Sequence, residues 1–183
     1  MDQSKYSEAQ EEARESFNEL KEIASNREEG ELEAEAIQRA ATDKVNELIQ
    51  NNNSLLEKKK TASSTFMGFY LVNSRERRKF CNQLNIDISG FTNKFEAMHS
   101  EEYEIAKKYL LADSISPEDL YKMINEQLEE AIRIDMRDIA KTYASGSLTE
   151  ACALFQDQGD VLAENIHIAK MQPKIYEILH EGK

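Results

Sequence analysis

Along most of the chain, apolar residues recur at steps of three and four, the spacing that gives an α-helix one apolar face. Between residues 4 and 28 they fall at Tyr6, Ala9, Ala13, Phe17, Leu20 and Ala24, among positions that are nearly all charged or polar. A stripe this narrow, built partly from alanines, buries little surface, and an isolated helix is marginal in water, so it needs a partner helix. Gly30, between Glu29 and Glu31, is where the chain can turn. A second stripe follows at Ile37, Ala41, Val45, Leu48, Asn52 and Leu55. The two stripes predict an antiparallel hairpin, residues 4–28 against 31–57, with pairing to a second copy of the chain as the alternative. Asn52 has two readings. A buried Asn sets register in a coiled coil, whereas the run Asn51-Asn52-Asn53-Ser54 is a poor helix interior and breaks the element.

The next stretch differs from the rest. Lys58, Lys59 and Lys60 precede the apolar run Phe66-Met67-Gly68-Phe69-Tyr70-Leu71-Val72, which is closed by Arg75, Arg77, Arg78 and Lys79. Phe66, Phe69, Asn73, Arg77, Phe80 and Leu84 are spaced for a helix. The aromatic and β-branched content of 65–72 also suits a short strand, although no partner strand is evident. After a turn at 86–90, helices are predicted over about 91–99 and 101–112. Ser116, Pro117 and Asp119 form the clearest helix start in the sequence, with an N-cap, a proline in the first turn and an acid three residues after the cap. That helix runs to about Ala144 on Leu120, Ile124, Leu128, Ile132, Met136, Ile139 and Tyr143. Gly146 ends it, and Ser147 with Glu150 opens a last long helix carrying Leu148, Cys152, Phe155, Leu162, Ile166 and Ala169. Gly159 can kink this helix, and Pro173 ends it before a short closing helix. No internal repeat is present. The fold class is all-α: an N-terminal helical hairpin or coiled-coil arm followed by a bundle of four to five helices. Three regions are expected: an acidic arm over 1–57, a basic and aromatic connecting segment over 58–90, and the helical bundle over 91–183.

Composition agrees with helix and adds a charge asymmetry. The 183 residues include 6 Gly, 2 Pro and no Trp, too few turn formers for a strand-rich sandwich. The net charge of −12 argues against the whole chain being a polyanion-binding domain. The charge is unevenly spread: residues 58–79 hold seven basic and one acidic residue, and residues 1–35 hold four basic and twelve acidic. The N-terminus is polar and lacks the basic and apolar regions of a secretory signal. A cytoplasmic location is therefore expected, with export by a specialised secretion system as the exception. Cys81 and Cys152 match no metal-binding spacing and are expected to be reduced core thiols.

The candidate chemistry is sparse. Each histidine follows a glutamate by three residues, in the pairs Glu96/His99, Glu164/His167 and Glu177/His180. Two such pairs plus two lone glutamates build the di-iron site of helical bundles, whose ligands must project inward. On a wheel centred on Leu162, Ile166 and Ala169, both Glu164 and His167 face solvent, which argues against that reading. Phosphate-binding glycine loops and nucleophile–base arrangements are absent from the sequence. No enzyme activity, metal or cofactor is expected.

Two surfaces remain as contact candidates. One is the arm stripe Tyr6, Ala13, Phe17 and Leu20. The other is the basic and aromatic set Lys58, Lys59, Lys60, Phe69, Tyr70, Arg75, Arg77, Arg78 and Lys79. Aromatics at helical spacing usually form core, with flanking Lys and Arg extending past them to solvent. The sharper readings of the second set are an anionic membrane surface or nucleic acid, with stacking on the aromatics. The functional expectation is a non-enzymatic adaptor, chaperone or regulator that binds another protein through exposed helix faces, with homodimerisation through the arm. The alternatives are peripheral membrane or nucleic-acid contact through 58–80, a nucleic-acid-mimicking inhibitor built on the acidic run 28–35, and, last, a di-metal bundle enzyme.

Overall fold

The computed structural model describes residues 3–52 and 54–182, with side chains from Tyr6 onward; Met1, Asp2, Asn53 and Lys183 lie outside the described residues. The described residues form helices joined by turns, with no strand, and the all-α class is as expected. Helices α1 (Gln3–Ser25) and α2 (Glu33–Asn51) form the hairpin. Its antiparallel sense is marked next to the turn by Ala24 packing with Ala36 and Ile37, and further along by Lys44 Nζ donating to Glu19 at 2.5 Å. Gly30, at φ +87°, occupies the left-handed region within the connection, a conformation that costs glycine little. Asn52 resolves as a break, because α2 ends at Asn51 and Asn52 is extended.

Residues 58–72, open to helix or strand by sequence, are helix. α3 (Leu55–Leu71) runs into a π turn, π1 (Val72–Glu76), and on into α4 (Arg77–Gln83). The π turn fits one extra residue into the helix, and side chains take up the polar backbone there. Asn73 Nδ2 donates to Phe69 O at 2.9 Å and Ser74 Oγ to Tyr70 O at 2.8 Å. Then come α5 (Ser89–Met98), α6 (Ser100–Ala112) and the long α7 (Pro117–Tyr143). α7 opens with the expected cap: Ser116 Oγ accepts from the Asp119 N–H at 3.0 Å, and Asp119 accepts back from Ser116.

The last long helix of the sequence reading is instead a series of short ones. These are α8 (Leu148–Asp157), α9 (Gly159–Asn165), α10 (Ile168–Met171) and α11 (Pro173–His180). At the first break, a Cβ on Gly159 would lie 2.8 Å from the backbone nitrogen of Phe91, so only glycine lets α9 approach α5 this closely. At the second, His167 is extended and its Nδ1 accepts the Ala169 N–H at 3.1 Å, capping α10. The wheel that turned His167 to solvent assumed a continuous helix. With the chain re-aimed, His167 is half-buried and stacks on His99 at 4.6 Å.

The core has two adjoining parts. One joins Phe66, Met67 and Leu71 of α3 with Ala106 and Leu110 of α6 and Ile175, Ile178 and Leu179 of α11. The other gathers Phe91 and Phe95 of α5, Ile132, Met136 and Ala140 of α7, and Phe155 and Ala163. Phe69, Tyr70 and Val72 pack against both. His99 is fully buried between these parts. Its Nε2 accepts the Ile168 N–H at 3.1 Å, which places the proton on Nδ1, facing Phe95 O at 2.8 Å. Burial pushes its pKa below the usual histidine value.

Cys81 and Cys152 correct an expectation. Both are completely buried, as core thiols would be, but they form a disulfide across a Cα–Cα distance of 5.5 Å. Spacing along the chain treated each as a small core residue and carried no information on the partner 71 positions away. Closing a ring of that size removes unfolded-chain entropy worth about 4 kcal/mol. Replacing both cysteines by alanine is expected to lower unfolding stability by up to about 4 kcal/mol. Urea titration with and without reductant checks this, with reductant shifting the parent protein and leaving the variant unchanged.

The hairpin lies along α7. Ile134 of α7 packs with Ala24, Ala36 and Ile37, and Phe17, Leu20 and Ala34 close over that contact. Lys21 pairs with Glu130 at 2.7 Å. Asp138, 5% exposed, accepts the Ala34 N–H at 2.8 Å, so an α7 carboxylate caps the start of α2. Asp138→Ala leaves that N–H without its acceptor, at a cost of about 1–3 kcal/mol. Hydrogen exchange should show protection falling across α1 and α2 while α7 and the disulfide-linked core stay slow. Unchanged arm protection would remove Asp138 as the anchor.

Candidate functional site

The helix that passes through the π turn carries the basic and aromatic segment, and the fold separates that segment into interior and surface. Phe69 packs inward on Phe95 and His99, with ring centroids 5.6 and 5.7 Å apart. Arg77, a surface contact candidate by sequence, is 4% exposed. Its guanidinium pairs with Asp135 at 2.8 Å, donates to Asn73 Oδ1 at 2.9 Å and lies over the Phe155 ring at 4.4 Å. The helical stripe Asn73–Arg77–Phe80 already put it on the buried face, and its partners on α7 and α8 explain why the charge is held there. A buried cation of this kind serves the fold rather than a ligand.

The remaining cations lie outside. Lys60 pairs with Asp113 at 2.8 Å, and Lys59 lies over the Tyr109 ring at 5.7 Å, both between α3 and α6. Lys58 is half-buried. Tyr70, Arg75, Arg78 and Lys79 come together in one cleft of about 850 Å³. Tyr103 and Lys107 of α6 and the α7 start at Ser116, Pro117 and Glu118 also line it.

Within the cleft, the Tyr70 and Tyr103 rings pack with centroids 4.8 Å apart. Lys107 lies 5.8 Å from the centre of the Tyr103 ring. Arg75 stacks 3.4 Å over Tyr121 and pairs with Glu118 at 2.8 Å. Lys79 pairs with Glu129 and lies 3.6 Å from the buried Glu76, which accepts from the Tyr121 hydroxyl. Arg78 is exposed, and its charge helps hold the Asp87 carboxyl below its usual pKa, after the hydrogen bonds from Ser89. Glu96 also reaches the wall. Arg75, Arg78, Lys79 and Lys107, which also meets Glu104 at 3.4 Å, thus line one cleft of a net-acidic molecule, beside a paired tyrosine surface. The N-terminal end of α7 adds a partial positive charge there.

The sequence named four of these residues. Tyr103, Lys107 and Glu118 lie 33 to 48 residues from Tyr70 and join it through the packing of α6 and the α7 start on α3. The i, i+4 spacing of Tyr103 and Lys107 on a predicted helix was the available signal. The cleft lining holds neither histidine nor cysteine, and its two serines are engaged, Ser74 with Tyr70 O and Ser116 in the α7 cap.

His99 and His167 stack, but the glutamates of the Glu-x-x-His pairs do not join them. Glu96, Glu164 and Glu177 are exposed, Glu164 lies 3.7 Å from Lys94, and His180 meets Glu102 instead of Glu177. The arm stripe is occupied within the chain. Tyr6, Ala13, Phe17 and Leu20 are half-buried, and the partner helix the stripe required is supplied by α2 and α7.

No protein-family model, curated protein or solved structure matches this chain. None of its described helices is long and apolar enough to cross a membrane.

Burial, and next the negative charge of Glu96, push the Tyr70 phenol up to about 12. A raised value means the folded state holds the proton more tightly, so this contribution to stability is intact below pH 10 and is lost as the pH rises through 12. Ultraviolet titration of the folded protein should show Tyr70 and Tyr121 ionising above pH 10, and Tyr70→Phe should remove the step near 12.

Proposed function

We propose that the chain is a non-enzymatic binding protein that takes an acidic, extended segment of another protein in the cleft between α3–α4, α6 and the start of α7. The observation that carries this reading is the convergence of Arg75, Arg78, Lys79 and Lys107 beside the Tyr70–Tyr103 pair on a chain of net charge −12. A local basic cleft on an acidic body draws acidic partners to one place and repels them elsewhere, which sets orientation and encounter rate more than affinity. The tyrosines supply flat, rigid contact area at low entropic cost.

An acidic peptide is favoured over a membrane because the apolar residues of the segment are turned into the core: Phe66 and Met67 are fully buried. With α7 meeting the need of the arm stripe for a partner helix, the reading does not call for self-association through α1. The disulfide supports action in an oxidising compartment, in place of the cytoplasm expected from the sequence.

The test is fluorescence anisotropy with a labelled peptide of alternating glutamate and tyrosine, at low and physiological salt. Binding that weakens with salt and is lost in Arg78→Glu/Lys107→Glu, with melting unchanged, supports the cleft. Arg78 and Lys107 are chosen because their substitution spares the buried Arg77. Vesicles of anionic lipid and duplex RNA run in parallel. Binding to either of these with no peptide binding would overturn the reading, as would peptide binding that ignores the charge reversal.

A further inference from the structure

The N-terminal turn of α6 meets the C-terminal turn of α11 through three potential metal ligands. Glu101, Glu102 and His180 each offer a donor atom, and these atoms all lie within 4.8 Å of one another. Acidic residues in a first helical turn are ordinary, since they complement the helix dipole, and a cluster of them alone signifies nothing. The second observation is at Glu102. It is 4% exposed, yet only one of its oxygens is engaged: Oε1 meets His180 Nε2 at 2.9 Å, while Oε2 is buried with no hydrogen-bond partner. A buried carboxylate oxygen without a partner is expensive, and a cation placed against it removes the cost. The spacing is also suitable. Two donors on one tetrahedral zinc ion, each about 2.0–2.1 Å from it, lie roughly 3.4 Å apart, a small opening from the present contact.

We propose that Glu101, Glu102 and His180 form a site for a divalent transition-metal ion of the zinc class, which clamps α11 to α6. One imidazole and two carboxylates select such an ion over magnesium or calcium, which prefer all-oxygen shells. Three protein ligands leave a fourth position for water. The tie joins the last helix to the middle of the chain, where Ile175, Ile178 and Leu179 already share core with Ala106 and Leu110.

The test uses the full-length chain stripped with chelator and titrated with zinc chloride by calorimetry, with calcium chloride as the comparison. The expected result is one zinc ion per chain, a higher melting temperature that chelator reverses, and no heat from calcium at the same concentrations. Glu101→Gln, at an exposed position, and His180→Gln should each weaken zinc binding at least tenfold. His167→Asn, which keeps a capping side chain, should bind as the parent does. Absence of stoichiometric zinc binding overturns the proposal, as does binding that survives both ligand substitutions or is lost equally in His167→Asn. Circular dichroism of each metal-free variant separates lost ligation from lost fold. Should His180→Gln fail to fold, Glu101→Gln alone decides, since its side chain is exposed.

Discussion

A guanidinium enclosed in the middle of the molecule sets the terms for what surrounds it. Taking Arg77 out of water is costly unless its charge and donors are matched by fixed groups, and losing one partner costs more than the pair contributes. Here the terminal guanidinium nitrogens and the ring face find partners on different elements, Asn73 from the π turn, Asp135 and Met136 from α7, and the Phe155 ring from α8, while Nε is buried without one. Helix α4 therefore has one rotation and one axial position against α7 that satisfy the charge. The π turn belongs to the same solution. The extra residue it fits in sets how α4 is rotated relative to α3, so that Arg77, and Glu76 with its Tyr121 contact, turn inward while Arg75 and Arg78 remain outside. A tighter α-helical register through 72–76 would rotate these four residues together, which gives the bulge a structural reason alongside the common association of π turns with functional surfaces.

The same economy runs through the acidic groups. With a net charge of −12, the chain has more carboxylates than cations to pair them, and several are placed against helix N-termini. Asp138 meets α2, Asp119 completes the α7 cap, and Glu101 and Glu102 occupy the first turn of α6. Four cations line the cleft, and three of them, Arg75, Lys79 and Lys107, are held there by Glu118, Glu129 and Glu104. The asymmetry seen in the sequence as an acidic head and a basic island becomes, in three dimensions, an acidic hairpin laid on α7 and a basic cleft lined by α4, the π turn and α6.

Legibility followed how local each determinant is. The α7 start was evident from Ser116, Pro117 and Asp119 because capping is settled within four residues. The hairpin was evident from two stripes that each lacked enough apolar width to stand alone. The interior placement of Asn73, Arg77 and Phe80 followed from their spacing, although a charge on a buried face was read as a surface contact because its partners lie 58 to 78 residues away. What was illegible depended on distant approach. Gly159 reads as a kink signal, but its necessity comes from the Phe91 backbone. His167 reads as solvent-facing until the chain breaks before α10. The cysteine pairing, and the half of the cleft supplied by α6 and α7, likewise depend on which helices meet.

The disulfide also determines the connectivity of the chain. It closes a covalent ring from Cys81 to Cys152 that contains α5, α6 and α7 whole, leaving α1 to α3 as one tail and α9 to α11 as another. Topologically the protein is a loop with two tails, each laid back onto the loop through polar ties that include Asp138 and Glu130 for the first and His180 and Ile168 for the second. In the oxidised unfolded chain, residues near the two cysteines begin as neighbours, so α4, α7 and α8 meet across a path far shorter than their sequence separation. Contacts within the ring therefore face a lower search cost than contacts made by the tails. A peptide-bond cut anywhere inside the ring would leave the halves covalently joined, whereas a cut in either tail would release a fragment.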